Sequence, residues 1–191
     1  MANVEIDGVN SKVYADQLDP KTGTTLTLGT SGDTISIPSG VTITNSGTDG
    51  GGFGVNTPAF FCSRQVTQSL GTSFEVVDIN SEQLDTDGCF DTTTFRFTPV
   101  VAGSYYLAGA VTWKTSSDFD KGEVAIYENG TDVIAYANSV NRDYNTVICS
   151  RIINGVDADD YFDLRATNTG GATDLQGGVP KIWFMGFRLV I

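Results

Sequence analysis

Two groups of closely spaced carboxylates are the residues of this chain best suited to chemistry. They are Asp118, Asp120 and Glu123 in a predicted loop, and Asp157, Asp159 and Asp160 just before a predicted strand. Carboxylates on loops can supply several of the roughly six to eight oxygen ligands that Ca²⁺ takes. Neither group has EF-hand spacing, so the alternative is two solvated acidic loops. Calcium is the one cofactor that these residues suggest.

The chain offers little else for catalysis. It contains no histidine, which excludes Ser-His-Asp and Cys-His catalysis and His-ligated metal sites. Two carboxylates can serve as a glycosidase pair, but nothing in the sequence places two of them on facing strands. We therefore predict that the protein is not an enzyme, with a polysaccharide depolymerase as the alternative.

The three cysteines, Cys62, Cys89 and Cys149, are an odd number without C-x-x-C spacing. This pattern contains no zinc or redox motif. We favour three buried, reduced thiols. The alternative is one disulfide and one free thiol.

Net charge narrows the choice of partner. Lys and Arg number 11 against 23 Asp and Glu, a net charge of −12. A nucleic-acid partner is excluded, because neutralising phosphates requires clustered Lys and Arg. The N-terminus lacks the basic and apolar regions of a signal peptide, and no run approaches the ~20 apolar residues of a membrane span. We expect a soluble product, made in the cytoplasm and not inserted in a membrane.

Residues 58–191 are predicted to form the structure that positions these groups. Short apolar runs alternate with turn signals such as Glu128-Asn-Gly-Thr and Asn154-Gly. Phe95 and Phe97 alternate with polar neighbours, and Tyr105–Trp113 is apolar on both faces and therefore predicted to be buried. The predicted strands are 59–64, 74–79, 95–97, 105–113, 123–128, 132–137, 146–153, 161–167 and 183–190. So many short strands without a convincing helix predict an all-β, two-sheet jelly roll.

Residues 1–50 have a different texture. Short alternating strands are separated by Gly-containing turns; their inward apolar pairs are Leu26/Leu28, Ile35/Ile37 and Val41/Ile43. One copy of so thin a sheet buries too little surface to be stable, whereas three copies around one axis could share a narrow core. We therefore divide the chain into a β-rich stalk at 1–50, a Gly-rich neck at 51–57 and a head at 58–191.

The head resembles a known family. The spacing of Phe90, Phe97, Gly103 and Tyr105 is similar to the aromatic signature of the C1q/TNF-like family, and Gly186 lies in a segment that resembles the family's closing strand. Aromatic residues expected after Tyr105 are replaced here by Leu107 and Gly109. The resemblance implies a jelly-roll head that packs as a homotrimer around a threefold axis.

The stalk resembles N-terminal stalks of structural proteins of tailed bacteriophages. Stalk and head together imply a virion fibre, either a tail fibre or a head fibre. Its N-terminus would bind other virion structural proteins, and its head would bind a glycan or protein on the host surface. The resemblance thus places the protein in the virion, after synthesis in the host cytoplasm. The alternatives are a secreted C1q-like recognition or signalling protein and a fibre-borne depolymerase.

Loops at the end of a rigid sandwich are where recognition residues are usually found. The candidates for receptor contact are Phe119 and Lys121 in one loop and Asn141, Arg142 and Tyr144 in another. The alternative is that both are plain connections.

Overall fold

The computed structural model describes residues 57–114, 120–140, 145–170 and 173–189, together with positions 23, 27, 31–34, 36 and 39–41. The chain divides into two units, residues 1–47 and 48–191. In the first unit, Gly32 and Gly40 occupy turns with φ of 98° and 87°, as their turn signals predict. The apolar pairs of the predicted stalk strands lie outside the described residues, apart from the exposed Val41. The predicted boundaries at 50 and 57 stay predictions, because 42–56 also lie outside.

The second unit is built from strands. They are β1 (Ala59–Ser63), β2 (Gln68–Leu70), β3 (Glu75–Val76), β4 (Ser81–Asp85), β5 (Phe90–Asp91), β6 (Arg96–Phe97), β7 (Gly103–Lys114), β8 (Lys121–Glu128), β9 (Asp132–Val140), β10 (Thr146–Val156), β11 (Phe162–Thr169), β12 (Thr173–Leu175) and β13 (Trp183–Leu189). All pairings are antiparallel and form two sheets. The all-β jelly roll predicted from the sequence is confirmed.

The long strand β7 organises the first sheet. It pairs with β13, β10 and β12; β13 pairs in turn with β1, β1 with β4, and β12 with β2. The second sheet has the order β5-β6-β11-β8-β9, with β3 also on β11. The predicted burial of β7 is confirmed, because most of its side chains on both faces are buried.

The core lies between the sheets and is rich in aromatic residues. Its largest fully buried side chains include Trp113, Tyr105, Phe60, Phe97 and Phe162. Gly109 makes room for this packing, since a Cβ there would lie 2.3 Å from Cδ1 of Leu164 on the facing sheet. The core therefore depends on close approach of β7 to β11.

Two local predictions are wrong. Phe95 does not alternate with Phe97 on a strand, because it lies in the turn before β6 with a φ of 60°. The Asn154-Gly155 pair does not end a strand: β10 continues to Val156, and the two residues form a β-bulge opposite Ser104. Gly at positive φ serves a bulge as well as a turn, so the sequence signal does not separate the two.

A pair of glycine substitutions should separate backbone strain from steric overlap. Gly130 and Gly155 have nearly equal φ, 76° and 72°, but a Cβ at Gly130 would lie 2.7 Å from Tyr161 Oη, whereas nothing lies within 4 Å at Gly155. We expect Gly155→Ala to lower the free energy of unfolding by about 1–2 kcal/mol, the cost of a left-handed residue. Gly130→Ala should cost about 1 kcal/mol more, because Tyr161 must move. Urea denaturation measures both, and equal losses would contradict the assignment.

Strand direction defines two ends of the second unit. Pro58, the Asn129-Gly130 turn and residues 157–161 lie at one end, which we call the entry end. Lys114, Lys121, Val140 and Thr146 lie at the other, the loop end. Nowhere in the described part of the chain is there a helix with the length and apolarity that crossing a bilayer requires.

Candidate interaction surfaces

The family signature residues gather around Phe60 in the core. The Phe60 ring stacks on Phe97 at 4.5 Å and on Phe90 at 5.1 Å between centroids, and meets Phe184 edge-on at 5.0 Å. Tyr105 packs on Phe97 at 5.7 Å. These residues hold the two sheets together, so they support a site without forming one.

Gly186, the last signature residue, leaves space for this cluster. A Cβ at Gly186 would lie 2.3 Å from Leu107 Cδ2 and 2.8 Å from Phe60 Cε1. Gly103, in contrast, begins β7 beside Arg188, whose Nε would lie 3.2 Å from an added Cβ. Both glycines are therefore packing residues.

Asp85 anchors the segment that carries Phe90. Its carboxylate accepts hydrogen bonds from the Phe90 and Cys89 backbone N–H groups, at 3.0 and 2.9 Å, and from the Cys89 thiol at 3.1 Å. Burial by itself raises the pKa of Asp85, but these hydrogen bonds outweigh it and leave the pKa below its ordinary value. The acidic residue upstream of Phe90 thus positions the aromatic cluster.

The outward side of the first sheet is apolar, and we call it the apolar face. Its side chains form three rows across β1, β13, β7 and β10: Ala59, Phe187, Tyr106 and Ile152; Phe61, Met185, Ala108 and Ser150; Ser63, Trp183, Ala110 and Ile148. Ring contacts join Tyr106 to Phe187 at 5.4 Å and Phe61 to Trp183 at 6.3 Å. Ile148 and Ile152 are 55% and 57% exposed. Ser63, Ala108 and Ala110 are buried, but the half-buried Phe61, Tyr106, Met185 and Phe187 and the two exposed isoleucines leave an apolar patch of a kind that often marks a protein interface.

The outward side of the second sheet, the outer face, has different chemistry. Arg165 pairs with the buried Asp163, with Nε 2.6 Å from Oδ1, and lies over the Tyr127 ring at 4.3 Å. Arg96 lies 4.0 Å over the ring of Tyr161. Nearer the loop end, the row positions hold Lys121, Glu123, Tyr136 and Asn138. This face is polar and aromatic where the apolar face is aliphatic and aromatic.

The architecture of two such sheets matches a known family. The model of the C1q domain matches residues 59–189. The chain belongs to the C1q domain family. No curated protein matches the chain, so the family model is the sequence evidence for this membership.

Solved structures agree on the fold of this C1q domain. Eiger TNF from S. frugiperda is similar over 71% of the chain and 94% of its own length, at 10% identity and a TM-score of 0.55. The globular domain of the zebrafish complement 1qA protein is similar over 69% and 96%, at 17% identity and 0.52. Murine APRIL is similar over 69% and 98%, at 13% identity and 0.54. At such identities the likeness shows the fold alone.

The acidic groups of the C1q domain lie at opposite ends. Asp157 and Asp160 form a turn at the entry end, where Asp160 Oδ2 accepts from the Asp157 N–H at 2.8 Å and Oδ1 accepts from Asn129 Nδ2 at 2.8 Å. Asp120 and Glu123 belong to the loop end. Among the described residues no three acidic, His or Cys side chains group to hold a metal ion. Asp118 lies outside them, so calcium binding stays a prediction.

Glu123 is engaged by its neighbours. Lys121 Nζ lies 2.8 Å from Glu123 Oε1, and the Tyr136 hydroxyl donates to the same oxygen. Burial by itself raises the pKa of Glu123, but the hydrogen bonds from Lys121 and Tyr136 hold that pKa below its ordinary value. The carboxylate is therefore ionised at neutral pH and serves to position Tyr136.

Of the predicted receptor residues, the structure describes Lys121, which is about one-third exposed on the outer face at the loop end. Phe119, Asn141, Arg142 and Tyr144 lie outside the described residues. The residues that flank them, Lys114 and Asp120 for one loop and Val140 and Asn145 for the other, come to the same end of the domain. The described residues on either side of both predicted loops therefore lie at one end of the domain.

The predicted reduced state of the cysteines is confirmed, since all three are free and buried. Cys62 and Cys149 both point into the core, but β13 and β7 lie between their strands. Three strand spacings put them roughly 14 Å apart, too far for a disulfide. Burial raises the pKa of the Cys62 and Cys149 thiols to about 12, so neither is a nucleophile at neutral pH.

Asp91 should make the stability of the domain depend on pH in the acid range. Its carboxylate accepts from the Thr93 hydroxyl at 2.6 Å, the Thr93 N–H at 2.7 Å and the Thr94 hydroxyl at 2.9 Å. These bonds, that from the Thr93 hydroxyl first, lower the pKa of Asp91 from 3.8 to about 2. A carboxyl group whose pKa is lower in the folded than in the unfolded state stabilises the fold at pH values above its unfolded-state pKa. That stabilisation is lost as the pH falls through the folded-state pKa.

We therefore expect Asp91→Ala to be less stable than the natural chain at pH 7. The difference should narrow strongly between pH 4 and pH 2. Urea denaturation of both chains across this range measures it, and an NMR titration of the Asp91 carboxyl carbon supplies the midpoint. A difference independent of pH would show that the turn, with Phe95 at positive φ, does not rely on the Asp91 charge.

Surface residues of both sheets escaped the sequence prediction. The predicted strands included Phe61, Tyr106, Met185 and Tyr136. None of these four residues was predicted to form part of a functional surface. A signal was present in the β13 segment Trp-Phe-Met-Gly-Phe, in which both alternating sets are apolar. In such a strand one set of side chains packs in the core, and the other set forms an apolar surface that another strand or another protein chain can cover.

Proposed function

We propose that this C1q domain is the homotrimeric recognition head of a tailed-bacteriophage fibre and that it binds the host surface without catalysis. The observation that carries the proposal is the apolar face. Phe61, Tyr106, Met185 and Phe187 lie there side by side and half-buried in the single chain. Further copies of the chain would remove this surface from water.

A threefold ring needs two different surfaces on each copy. The part of the apolar face on β1, β13 and β7 supplies one. The edge strand β10 supplies the other, because Ile148 and Ile152 are each more than half exposed there. A heterologous contact between the β10 edge and the β1, β13 and β7 part of the next copy would close a ring of three.

The direction of the strands suits attachment. The chain enters the domain at Pro58, at the entry end, whereas both predicted receptor loops are flanked by residues at the loop end. Three copies in parallel would present three loop ends on the side of the domain opposite Pro58. Weak contacts then add through effective concentration, so high affinity per site is not required.

Residues 1–50 support the placement on a virion, since their Thr- and Ser-rich strand pattern resembles phage stalks. A secreted recognition or signalling protein is the alternative. Likeness to Eiger TNF and APRIL at 10% and 13% identity concerns fold, so it does not favour a signalling role. The depolymerase alternative is tested by release of reducing ends from capsule or lipopolysaccharide; sustained release would replace binding with catalysis.

The proposal is tested by light scattering after size exclusion, on the full chain and on a truncated chain beginning at Pro58. Trimers in both cases support a head that assembles itself. A monomeric truncated chain with a trimeric full chain would assign assembly to residues 1–57, and two monomers would overturn the fibre. Fluorescently labelled full chain is then added to bacterial strains and cell-bound fluorescence is measured; binding to selected strains is expected.

A further inference from the structure

Among the described residues, three tyrosines lie on the outer face, and their rings differ in how they are covered. Tyr127 is covered by the Arg165 guanidinium and touches Phe74, and Tyr161 is covered by the Arg96 guanidinium. Within the part of the chain that the structure describes, no ring or cation stacks on Tyr136, which is 46% exposed. Tyr136 is thus the tyrosine of this face whose ring is open to a ligand.

The Tyr136 ring is also held in place. Its hydroxyl donates to Glu123 and accepts from Asn138 Nδ2 at 3.1 Å, while Lys121 Nζ pairs with Glu123 at 2.8 Å. Ala125, its cross-strand neighbour, is small and buried. An aromatic ring fixed in this way loses little conformational entropy when it binds a ligand.

The groups around the ring define a ligand class. The Lys121 ammonium and the Glu123 carboxylate neutralise each other. The surface around Tyr136 therefore has no net charge that would select an anionic or a cationic ligand. The Asn138 amide and the Lys121 ammonium donate hydrogen bonds, and the Asn138 and Glu123 oxygens accept them. A ligand that fits presents an apolar C–H surface to the ring and hydroxyl groups at its edge. A neutral pyranose has this combination.

We propose that Tyr136, Lys121, Glu123 and Asn138 form a binding site for a neutral pyranose unit of a surface glycan, with the sugar ring stacked on Tyr136. The site rests on the proposed attachment function and specifies its receptor class. It lies toward the loop end of the outer face, because Lys121 and Val140 form the last row of that face. It also lies on the sheet opposite the apolar face, so assembly of the trimer through that face leaves it accessible.

A protein receptor fits the patch less well. Protein hot spots are aromatic residues that fill desolvated pockets within about 800 Å² of buried surface per partner. Here a single ring is surrounded by polar groups that are already paired among themselves. A sugar needs one ring face and a few hydrogen bonds, which is what the patch supplies.

Saturation-transfer NMR on the full chain tests the site. The probes are methyl β-D-glucopyranoside, methyl β-D-galactopyranoside and methyl α-D-mannopyranoside, with N-acetylneuraminic acid as the charged comparison. We expect transfer to the ring C–H protons of at least one neutral pyranoside. Tyr136→Ala should weaken that binding by about tenfold or more, which corresponds to about 1.4 kcal/mol.

Val133→Ala is the matched control, since Val133 lies on the same strand and face and is 49% exposed. It should bind as the natural chain does. Tyr136→Phe keeps the ring but loses both hydrogen bonds of the hydroxyl, and an affinity between those of the natural chain and Tyr136→Ala is expected. Size exclusion of each variant shows that assembly is unchanged.

Three outcomes would overturn the site: no transfer from any neutral pyranoside, equal binding by Tyr136→Ala, or preference for N-acetylneuraminic acid. Adhesion to cells is measured separately, after periodate or protease treatment of the cells. Loss with periodate supports a glycan, whereas loss with protease alone assigns the receptor to a protein and overturns the site but not the attachment function. Pyranoside binding without adhesion to any strain would refute attachment and leave the site standing.

Discussion

Phe60→Ala is expected to lower the free energy of unfolding by about 3–5 kcal/mol, the usual range for removing a buried phenylalanine. Phe60 is 1% exposed and contacts three other phenylalanine rings between 4.5 and 5.1 Å away. Alanine would leave a cavity between the sheets, which rigid strands close poorly. Because domains are stable by only about 5–15 kcal/mol, this one change removes a large share of the total.

Denaturant unfolding followed by tryptophan fluorescence measures the loss, with the buried Trp113 as a core reporter. Protein concentrations must be matched, because unfolding of an oligomer depends on concentration. Val66→Ala is the control: the side chain is 58% exposed, and a change within about 0.5 kcal/mol is expected. Phe60→Leu should fall between the two. A loss below about 1 kcal/mol for Phe60→Ala would mean that the aromatic cluster does not organise the core.

Met185→Glu is expected to convert the proposed trimer to monomers while the domain stays folded. Met185 lies in the middle row of the apolar face, between Phe61 on β1 and Ala108 on β7. In the proposed threefold assembly the change buries one unpaired carboxylate in each of the three interfaces. Each buried, unpaired charge costs several kcal/mol, and every 1.4 kcal/mol shifts the association constant by about tenfold.

Light scattering after size exclusion measures the change in mass, and circular dichroism shows whether the β structure is kept. Val66→Glu adds the same charge at an exposed position outside the strands and should remain trimeric. A trimeric Met185→Glu would move the interface away from the apolar face. If Met185→Glu is monomeric and also loses adhesion to cells, attachment depends on multivalency.

Residues that interact with their near neighbours were predictable. The Asn129-Gly130 hairpin was predicted from two residues, and the structure has both at positive φ, 50° and 76°. The burial of Tyr105–Trp113 followed from a run that is apolar on both faces. Phe95 was misread because its alternation with Phe97 resembles a strand, whereas Asp91 holds the segment in a turn.

Residues whose pairing depends on distant strands were not predictable. Gln68–Leu70 and Thr173–Leu175 pair with each other from about one hundred residues apart. Neither segment has a strand signal of its own, and both are ordered because β12 lies against the end of β7. Ser81–Asp85 is mostly polar and becomes a strand because it covers the free edge of β1.

The sequence by itself determined the all-β class of the fold, the burial of Tyr105–Trp113 and the exclusion of histidine chemistry, since each depends on residue type and local period. The aromatic and glycine residues of the core were indicated by the resemblance to the C1q/TNF-like family. Tertiary structure decided which surfaces are left over. In strands that are apolar on both sides, such as β1 and β13, local pattern cannot say which side faces the core; the second sheet covers Phe60 and leaves Phe61 outside. In the same way, Arg96 and Arg165 cover Tyr161 and Tyr127 and leave Tyr136 open, because the strands that carry these residues become neighbours only in the folded sheet.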